Sequence, residues 1–286
     1  YRGRSDYGHR FSGKAGARRR SRARERIAER VVELTVIGCH GGETPKHRTS
    51  AFVLDDRLAI DAGALTSGLD LAAQRRLEAC LVSHAHLDHV RDLATLADNR
   101  VQNDCPPLVI AGTKVTLGLL KKHFFNNKLW PDFSVLPTAE APGIRYRVLA
   151  PEVEAEVAGF AVRPIAVSHT IDCCGFVVRG PEGAIAYSGD TGPTDRLFEV
   201  LNAEPRLRAL LMEVSFPDEL EGLARASGHH TPRTLAADLR KLTAPKDVPT
   251  LLYHIKPSFQ ARVERECARL KGLDLTVLAL GDKLAF

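Results

Sequence analysis

The chain has 286 residues, is 44% hydrophobic and carries a formal net charge of +5, a composition that can build one large catalytic domain. No apolar run approaches the roughly 18 residues that a membrane span requires, and residues 1–30 lack the apolar stretch of a secretory signal. These features argue against a membrane protein and predict a soluble chain, with a cytoplasmic location expected and the periplasm as the alternative if a signal preceded Tyr1.

The positive charge is concentrated in the first 30 residues, which contain ten arginines and one lysine against three acidic residues. This segment carries +8 and the whole chain +5, so residues 31–286 are slightly acidic at −3. Low hydrophobicity and unbalanced charge predict a disordered arm around Arg18–Arg24, although such a run could also contact phosphates. We therefore expect a basic arm at residues 1–30 and a catalytic domain at residues 31–286.

Short apolar segments at the start of this domain predict antiparallel strands. Val31–Ile37 is rich in β-branched residues and stops at a glycine, which indicates a first strand. Ser50–Leu54 and Leu58–Asp61 flank the dipeptide Asp55-Asp56, which is typical of a tight hairpin turn. Early antiparallel strands favour an α+β or layered sandwich fold over a doubly wound sheet.

Helical and strand patterns alternate after the hairpin. Predicted helices cover residues 69–78, the segment after 88, the segment after 231 and the segment before 270. Predicted strands cover residues 79–83, 108–111, 144–149, 160–168, 184–188, 209–214 and 250–254. Two sheets covered on their outer faces by helices would accommodate this order.

The strongest local motif is Ser83-His84-Ala85-His86-Leu87-Asp88-His89, which directly follows a predicted apolar strand. Three histidines and one carboxylate within six residues can converge where the chain leaves the sheet. Imidazole nitrogens and carboxylate oxygens are the usual protein ligands of zinc, iron and manganese. The motif therefore predicts a metal site.

Three further side chains of the same types stand at the ends of later apolar segments. His169 follows the run that begins at Ile165, Asp190 follows the run from Ala184, and His254 follows the run from Leu251. The recurrence of ligand types after apolar strands indicates that they join the first group.

These residues resemble the metallo-β-lactamase superfamily, whose pattern is H-x-H-x-D-H followed by a later His, an Asp and a final His. The resemblance runs from about Val31 to Phe286 and implies an α+β fold, the αββα sandwich of two mixed β-sheets flanked by helices. It also matches Asp61 to a structural aspartate that orients the metal loop. The metal ligands that it implies are His84, His86 and His169 for one ion, Asp88, His89 and His254 for the other, and Asp190 as the bridge.

A pair of ions implies hydrolytic chemistry. We expect two divalent metal ions as cofactors, with Zn²⁺ first and Mn²⁺ or Fe²⁺ as alternatives. Two neighbouring cations lower the pKa of a shared water, so that a metal-bridging hydroxide exists near neutral pH, and they neutralise charge on a phosphoryl or acyl oxygen. The superfamily acts on many substrates, so the fold alone selects none of them.

Three further segments look like those of the class II cyclic-nucleotide phosphodiesterases. They are Lys122–Phe133 (KHFFNNKLWPDF), Met212–Pro217 (MEVSFP) and Tyr253–Pro257 (YHIKP). The Phe-Asn-Asn-x-x-Trp-Pro part matters most, because a general zinc hydrolase has no need of it. One departure is visible: Arg91-Asp92 follows His89-Val90, whereas that family usually has a small residue two positions on.

The aromatic part of Lys122–Phe133 has two interpretations. The rings of Phe124, Phe125 and Trp130 could stack on a purine while Asn126 and Asn127 pair with its edge. Alternatively, the aromatic residues pack in the core and the asparagines form turns.

A candidate proton donor is His229, which precedes a helix predicted to be capped by Thr231. It resembles the His of a Glu/His pair in phosphodiesterase branches of the superfamily, with Glu213 as its partner. Protonation of the departing 3′-oxygen by a positioned histidine usually contributes about 10² to 10⁴ in rate. His230 could fill this role instead, and a capping or orienting role is the other alternative. The candidate catalytic residues are Asp88, Glu213 and His229.

We therefore expect a phosphodiesterase that converts 3′,5′-cyclic AMP or cyclic GMP to the 5′-monophosphate. The enzyme alternative is a tRNA 3′-processing endoribonuclease of the ribonuclease Z type, or another hydrolase of this superfamily. The slightly acidic domain argues against the ribonuclease, because RNA binding draws heavily on Lys and Arg contacts with phosphates. An alternative of another class is a nucleic-acid-binding or partner-binding protein in which the basic arm is the functional element and the metals are structural.

The expected partner is a small-molecule cyclic nucleotide, without a membrane or a nucleic acid, and a homodimer is left open. The six cysteines show no C-x-x-C spacing and are expected to be free, mostly buried thiols. Free cysteines favour a reducing compartment.

Overall fold

Two seven-stranded sheets pack face to face in the computed structural model, which describes residues 31–244 and 247–286. The strands are β1 (Glu33–Gly38), β2 (Ala51–Leu54), β3 (Leu58–Ile60), β4 (Ala79–Val82), β5 (Leu108–Gly112), β6 (Ile144–Val148), β7 (Ala155–Val157), β8 (Phe160–Ala166), β9 (Cys174–Gly180), β10 (Gly183–Tyr187), β11 (Leu207–Glu213), β12 (Thr250–Tyr253), β13 (Leu275–Val277) and β14 (Lys283–Ala285). The predicted basic arm at residues 1–30 lies outside the described residues.

Both sheets mix parallel and antiparallel neighbours. The first has the order β14-β1-β2-β3-β4-β5-β6 and is parallel from β3 onwards. The second has the order β13-β12-β11-β10-β9-β8-β7 and is parallel from β10 to β13. The predicted hairpin is confirmed, since β2 and β3 pair antiparallel around Asp55-Asp56, where both aspartates have positive φ.

Helices cover the outer faces of the sheets. They are α1 (Leu65–Gly68), α2 (Leu71–Arg76), α3 (Leu87–Val90), α4 (Leu93–Gln102), α5 (Lys114–Leu119), α6 (Arg196–Asn202), α7 (Glu221–Ser227), α8 (Pro232–Leu239) and α9 (Gln260–Cys267), with 3₁₀ turns at Asp218–Leu220 and Pro257–Phe259 and a π-helical turn at Leu120–Phe124. Helix α8 begins as predicted, because the Thr231 side chain accepts a hydrogen bond from the backbone of Thr234. None of the described helices is long and apolar enough to cross a membrane.

Alternate residues of the same strand pack into different cores. In β2, Phe52 and Leu54 join the core between the sheets, whereas Val53 joins the core under the helices of the first sheet. In β12, Tyr253 faces the inner core and Leu252 the helices of the second sheet. Since both faces of these strands are buried, each reads as a continuous apolar run. The expected four-layer αββα sandwich is confirmed.

One long central strand was not predicted from the sequence. Strand β9 contains glycine at both Gly175 and Gly180, and glycine weakens a strand pattern. A Cβ at Gly175 would lie 2.6 Å from the carbonyl oxygen of Tyr187, so the glycine allows β9 and β10 to approach closely. The cysteines agree with expectation, since all six are free and Cys105 alone is not buried.

Candidate metal centre

The seven candidate ligands meet where the chain leaves four strands. The loop after β4 carries His84 and His86, and α3 carries Asp88 and His89. The remaining three follow the ends of β8, β10 and β12 and are His169, Asp190 and His254. Side chains far apart in sequence therefore converge at one edge of the sandwich.

The first ligand set consists of His84, His86 and His169. The Nδ1 atom of His86 lies 3.0 Å from Nε2 of His84 and 3.2 Å from Nε2 of His169. Burial lowers the pKa of all three imidazoles, so they are neutral at neutral pH and offer lone pairs. Three neutral, converging ring nitrogens suit a divalent transition-metal ion.

The second set adds two carboxylates. The Nε2 atom of His254 lies 3.3 Å from Oδ2 of Asp88 and 3.3 Å from Oδ2 of Asp190, and Nε2 of His89 lies 3.2 Å from the same Asp190 oxygen. Asp190 Oδ2 is also 3.7 Å from Nε2 of His84, which belongs to the first set. Asp190 therefore stands between the two sets, in the position of a bridge.

The carboxylates of this set are ionised. Burial raises the pKa of Asp88 and Asp190, but the neighbouring histidines outweigh it and hold both pKa values well below their usual range. Burial likewise lowers the pKa of His89, yet Asp190 and Asp61 together raise it well above its usual value. The negative charges of the buried Asp190 and the half-buried Asp88, set among imidazoles, create a site that attracts cations.

The outer ring nitrogens of four histidines are already engaged. Each Nδ1 has an oxygen partner: His84 with Ser83 Oγ at 3.0 Å, His89 with Asp61 Oδ2 at 2.7 Å, His169 with the Gly228 carbonyl at 2.9 Å and His254 with Ser215 Oγ at 3.0 Å. With Nδ1–H donating outward, each Nε2 is the nitrogen that faces inward, as metal ligation requires. On His89, whose pKa is raised, a bound ion would take the place of the Nε2 proton. Among the described side chains, Asp190 Oδ1 is also buried without a hydrogen-bond partner. The residues present therefore fit a pair of divalent ions.

Asp61 holds the metal loop in place. It is fully buried with φ of 56° and accepts hydrogen bonds from the Ser83 backbone N–H at 2.8 Å, Ser83 Oγ at 2.8 Å and the Tyr187 hydroxyl at 2.6 Å, besides the His89 ring. It lies beside the ligands and orients His89, the place in which the sequence resemblance put it.

Asp61→Asn should weaken metal binding by about 10- to 100-fold, because the amide cannot accept from four donors and turns a donor towards them. Calorimetric titration of the metal-free protein with Zn²⁺ measures the effect. Asp56→Asn, at an exposed turn position paired with Arg76, is the matched control. Equal affinities for the two variants would contradict the role assigned to Asp61.

The metal loop also depends on a close backbone approach at Gly63. A Cβ at this position would lie 2.0 Å from the carbonyl oxygen of Asp88 and 2.5 Å from Oγ1 of Thr49. Gly63→Ala should therefore push α3 away and destabilise the protein by about 1 to 3 kcal/mol. Urea unfolding measures this, with Gly118→Ala as the control, since a Cβ there meets no described atom within 4 Å. Equal urea midpoints for Gly63→Ala and Gly118→Ala would contradict the prediction.

A buried Glu/His pair adjoins the ligand sets. Glu213 Oε1 accepts from Nδ1 of His229 at 3.0 Å and from the Thr191 backbone at 3.1 Å. The His229 ring stacks on His254 with centroids 5.2 Å apart, and one of its nitrogens lies within 4.8 Å of the ligand atoms of His169 and Asp190. Because Nδ1 is engaged by Glu213, Nε2 is the ring nitrogen left to face a bound substrate.

Burial governs the protonation of this pair. It raises the pKa of the Glu213 carboxyl to about 7, with Asp190 adding to the effect, and it lowers the pKa of His229. Relative to the free side chains, a protonated Glu213 and a neutral His229 are therefore favoured. Shifted pKa values of this kind cluster at functional sites.

His230 points elsewhere. Its Nδ1 lies 3.0 Å from Thr234 Oγ1, its Nε2 lies 3.5 Å from Asp238, and the side chain is fully buried against α8. Of the two histidines considered as proton donors, the geometry favours His229.

In the aromatic segment Lys122–Phe133, Phe125 and Trp130 pack in the core and the asparagines shape a turn, as the second interpretation predicted. Phe125 is 1% exposed and packs in the core under the first sheet, and Trp130 packs against the same core. Asn126 Oδ1 accepts from the backbone of Lys128 and Leu129, and Asn127 Oδ1 accepts from the backbone of Asp132, so both side chains shape the loop. The hypothesis that these five residues read a purine is therefore wrong for Phe125, whose ring fills the core, and for Asn126, whose amide nitrogen donates to the Lys122 carbonyl while its oxygen accepts from the loop. The oxygen of Asn127 is likewise held by the loop.

The known proteins that match this chain agree on its fold. Residues 58–255 match the family described as the β-lactamase superfamily domain. A probable 3′,5′-cyclic-nucleotide phosphodiesterase of Yersinia pestis is 25% identical over 82% of this chain and 81% of that protein. A ribonuclease Z of Bacillus licheniformis is 25% identical over 80% and 90% of the two chains. In structure, unliganded yeast PDE1 superposes with a TM-score of 0.77 at 19% identity over 90% of this chain and 99% of that one.

Proposed function

This chain belongs to the metallo-β-lactamase superfamily, and we propose that within it the protein is a metal-dependent phosphodiesterase that hydrolyses 3′,5′-cyclic nucleotides to 5′-monophosphates. The observation that carries the proposal is the pairing of two ligand sets, bridged by Asp190, with a buried Glu213–His229 pair. The names of its relatives in Yersinia pestis and Aliivibrio fischeri, both 3′,5′-cyclic-nucleotide phosphodiesterases, support this substrate class.

Each ligand set would bind one of two ions. His84, His86 and His169 would hold one, Asp88, His89 and His254 the other, and Asp190 both. When bound, the ions would supply an activated water and neutralise charge on the phosphoryl oxygens. Zn²⁺ suits the neutral imidazoles, and Mn²⁺ or Fe²⁺ suits the carboxylate-containing set as well.

His229 would move the proton that the leaving oxygen needs. Glu213 holds Nδ1–H of His229, so Nε2 is the nitrogen that would take up the proton released by the attacking water and pass it to the departing 3′-oxygen. The carboxyl of Glu213 is itself held by Thr191 and by Ser215 Oγ at 3.1 Å, which keeps the imidazole in one orientation. A histidine oriented by a buried acid is the arrangement that general acid catalysis uses.

The test is a steady-state assay of the purified protein with Zn²⁺ or Mn²⁺ on cyclic AMP, cyclic GMP and a bis-aryl phosphodiester. We expect turnover of at least one cyclic nucleotide, and loss of turnover in Asp88→Ala. Turnover of the aryl phosphodiester with neither nucleotide would refute the substrate assignment while keeping the hydrolase assignment.

The similarity to a ribonuclease Z makes tRNA 3′ processing the second candidate. The charge of residues 31–286 disfavours it, since −3 gives little attraction for a polyanion. Incubation with a tRNA precursor decides the matter: cleavage at the 3′ end without turnover of cyclic nucleotides would favour the ribonuclease. A chain lacking residues 1–30 that keeps its hydrolysis would argue against the basic arm as the functional element.

A further inference from the structure

An apolar cleft of about 190 Å³ is lined in part by residues next to metal-site histidines in the sequence. Its walls include Ala85, Leu87, Phe124, Leu129 and Ile171, and it is distinct from the core positions of Phe125 and Trp130 discussed above. The proposed reaction at the phosphorus does not use these side chains.

The cleft is continuous with the ligand-bearing segments of the chain. Ala85 and Leu87 are the neighbours of His86, and Ile171 lies two residues after His169. The His86 and His169 ring nitrogens are 3.2 Å apart, so the two segments approach each other at the first ligand set. A molecule whose phosphate lies at the metal centre could therefore extend into the cleft.

The opposite wall is built by an uncommon piece of backbone. The π-helical turn Leu120–Phe124 contributes Leu120, His123 and Phe124 to the lining, and π-helical turns are frequent at functional sites. The loop that follows is held by Asn126, which accepts from the backbone of Leu129 at 2.8 Å. This wall is thus positioned by hydrogen-bonded backbone.

The rim of the cleft leaves large apolar side chains in water. Leu87 is 64% exposed and Leu129 is 60% exposed, and both line the cleft from separate segments of the chain. Covering such surface is favourable, and apolar clefts with few polar groups are the usual form of small-ligand sites. A flat apolar ring inserted between the walls would bury both leucines.

We propose that this cleft binds the heteroaromatic base of the cyclic nucleotide, an inference that rests on the proposed function. The base lies against Leu87 and Leu129 while its phosphate lies at the metal centre. Among the described lining residues, His123 alone carries a polar side chain, so the cleft offers little with which to tell adenine from guanine. The binding of the base is therefore apolar and unselective, and the metal centre supplies the contact with the phosphate.

The experiment compares cyclic AMP with 3′,5′-cyclic ribose phosphate, which has the same ring phosphodiester but no base. In Leu129→Ser and Leu87→Ser we expect the ratio of kcat/KM for cyclic AMP to that for the base-free substrate to fall about tenfold, through KM for cyclic AMP. Leu71→Ser is the matched control, since Leu71 is 52% exposed in α2 and lies outside the cleft. An unchanged ratio in both cleft variants would overturn the proposal.

A binding measurement keeps the proposal testable apart from turnover. Trp130, the single tryptophan of the chain, adjoins Leu129, so its fluorescence reports adenosine binding to the chelator-treated protein. Adenosine should bind at least about fivefold more weakly to Leu129→Ser than to Leu71→Ser. Equal binding would reject the cleft, whereas a wild-type protein that binds adenosine but hydrolyses no cyclic nucleotide would reject the proposed function instead.

Discussion

Asp190→Asn is expected to lower kcat/KM on cyclic AMP by at least about 10⁴-fold, close to loss of catalysis. Asp190 Oδ2 approaches His89, His254 and His84, so this carboxylate oxygen reaches both ligand sets. The amide is neutral and cannot replace the charge that draws two cations together. The variant should also retain less than two metal ions per chain.

Two measurements on the same preparation test this expectation, the steady-state rate and the metal content by elemental analysis. Asp195→Asn is the matched control, because the Asp195 side chain is 83% exposed and pairs with Lys241 on the surface. Treatment of the wild type with a chelator should reproduce the loss of activity, and added Zn²⁺ should reverse it. Full metal content together with more than a tenth of the activity in Asp190→Asn would contradict the bridging role.

His229→Ala is expected to lower kcat on cyclic AMP by about 10² to 10⁴-fold. The reason is specific to the leaving group, because an alkoxide such as the 3′-oxygen departs slowly unless it is protonated. On a phosphodiester with a p-nitrophenolate leaving group, which departs without a proton, the loss should be much smaller. The ratio of the two losses measures the contribution of His229 as an acid.

Comparing the two substrates in the same variant provides the control. An orienting role for His229 would lower both rates to the same extent, and equal losses would contradict the proposal. Glu213→Gln should lower the rate on cyclic AMP less than His229→Ala, because Thr191 and Ser215 still hold the side chain at position 213. Rates measured with saturating Zn²⁺ separate these effects from weakened metal binding.

The metal centre could be predicted from the sequence because its residues stand at recognisable positions, directly after apolar strands. His169, Asp190 and His254 each follow an apolar strand, and strands of two packed sheets end at a common edge. The family resemblance assigned each residue to a set, and the structure brings the same residues together. The order of strands and helices favoured a layered α+β fold, and the family resemblance implied the αββα sandwich.

Other features depend on contacts that the sequence does not display. The choice between His229 and His230 required the positions of Glu213 and Asp238, which lie on different elements. Phe124 and Phe125 are adjacent and both belong to the core under the first sheet, yet Phe124 also lines the cleft and Phe125 does not. The two rings differ because Phe124 ends the π-helical turn and Phe125 follows it, a difference that the sequence does not display.

The hydroxyl of Tyr187 links the core between the sheets to the metal centre at the edge of the sandwich. Tyr187 belongs to the core between the sheets, and it donates to Asp61, which directly follows β3 of the other sheet and holds His89. His89 is therefore correctly oriented only while the sheets remain docked. Heating should accordingly release metal from the second set in the same transition that separates the sheets, so that ion retention reports the integrity of the whole sandwich.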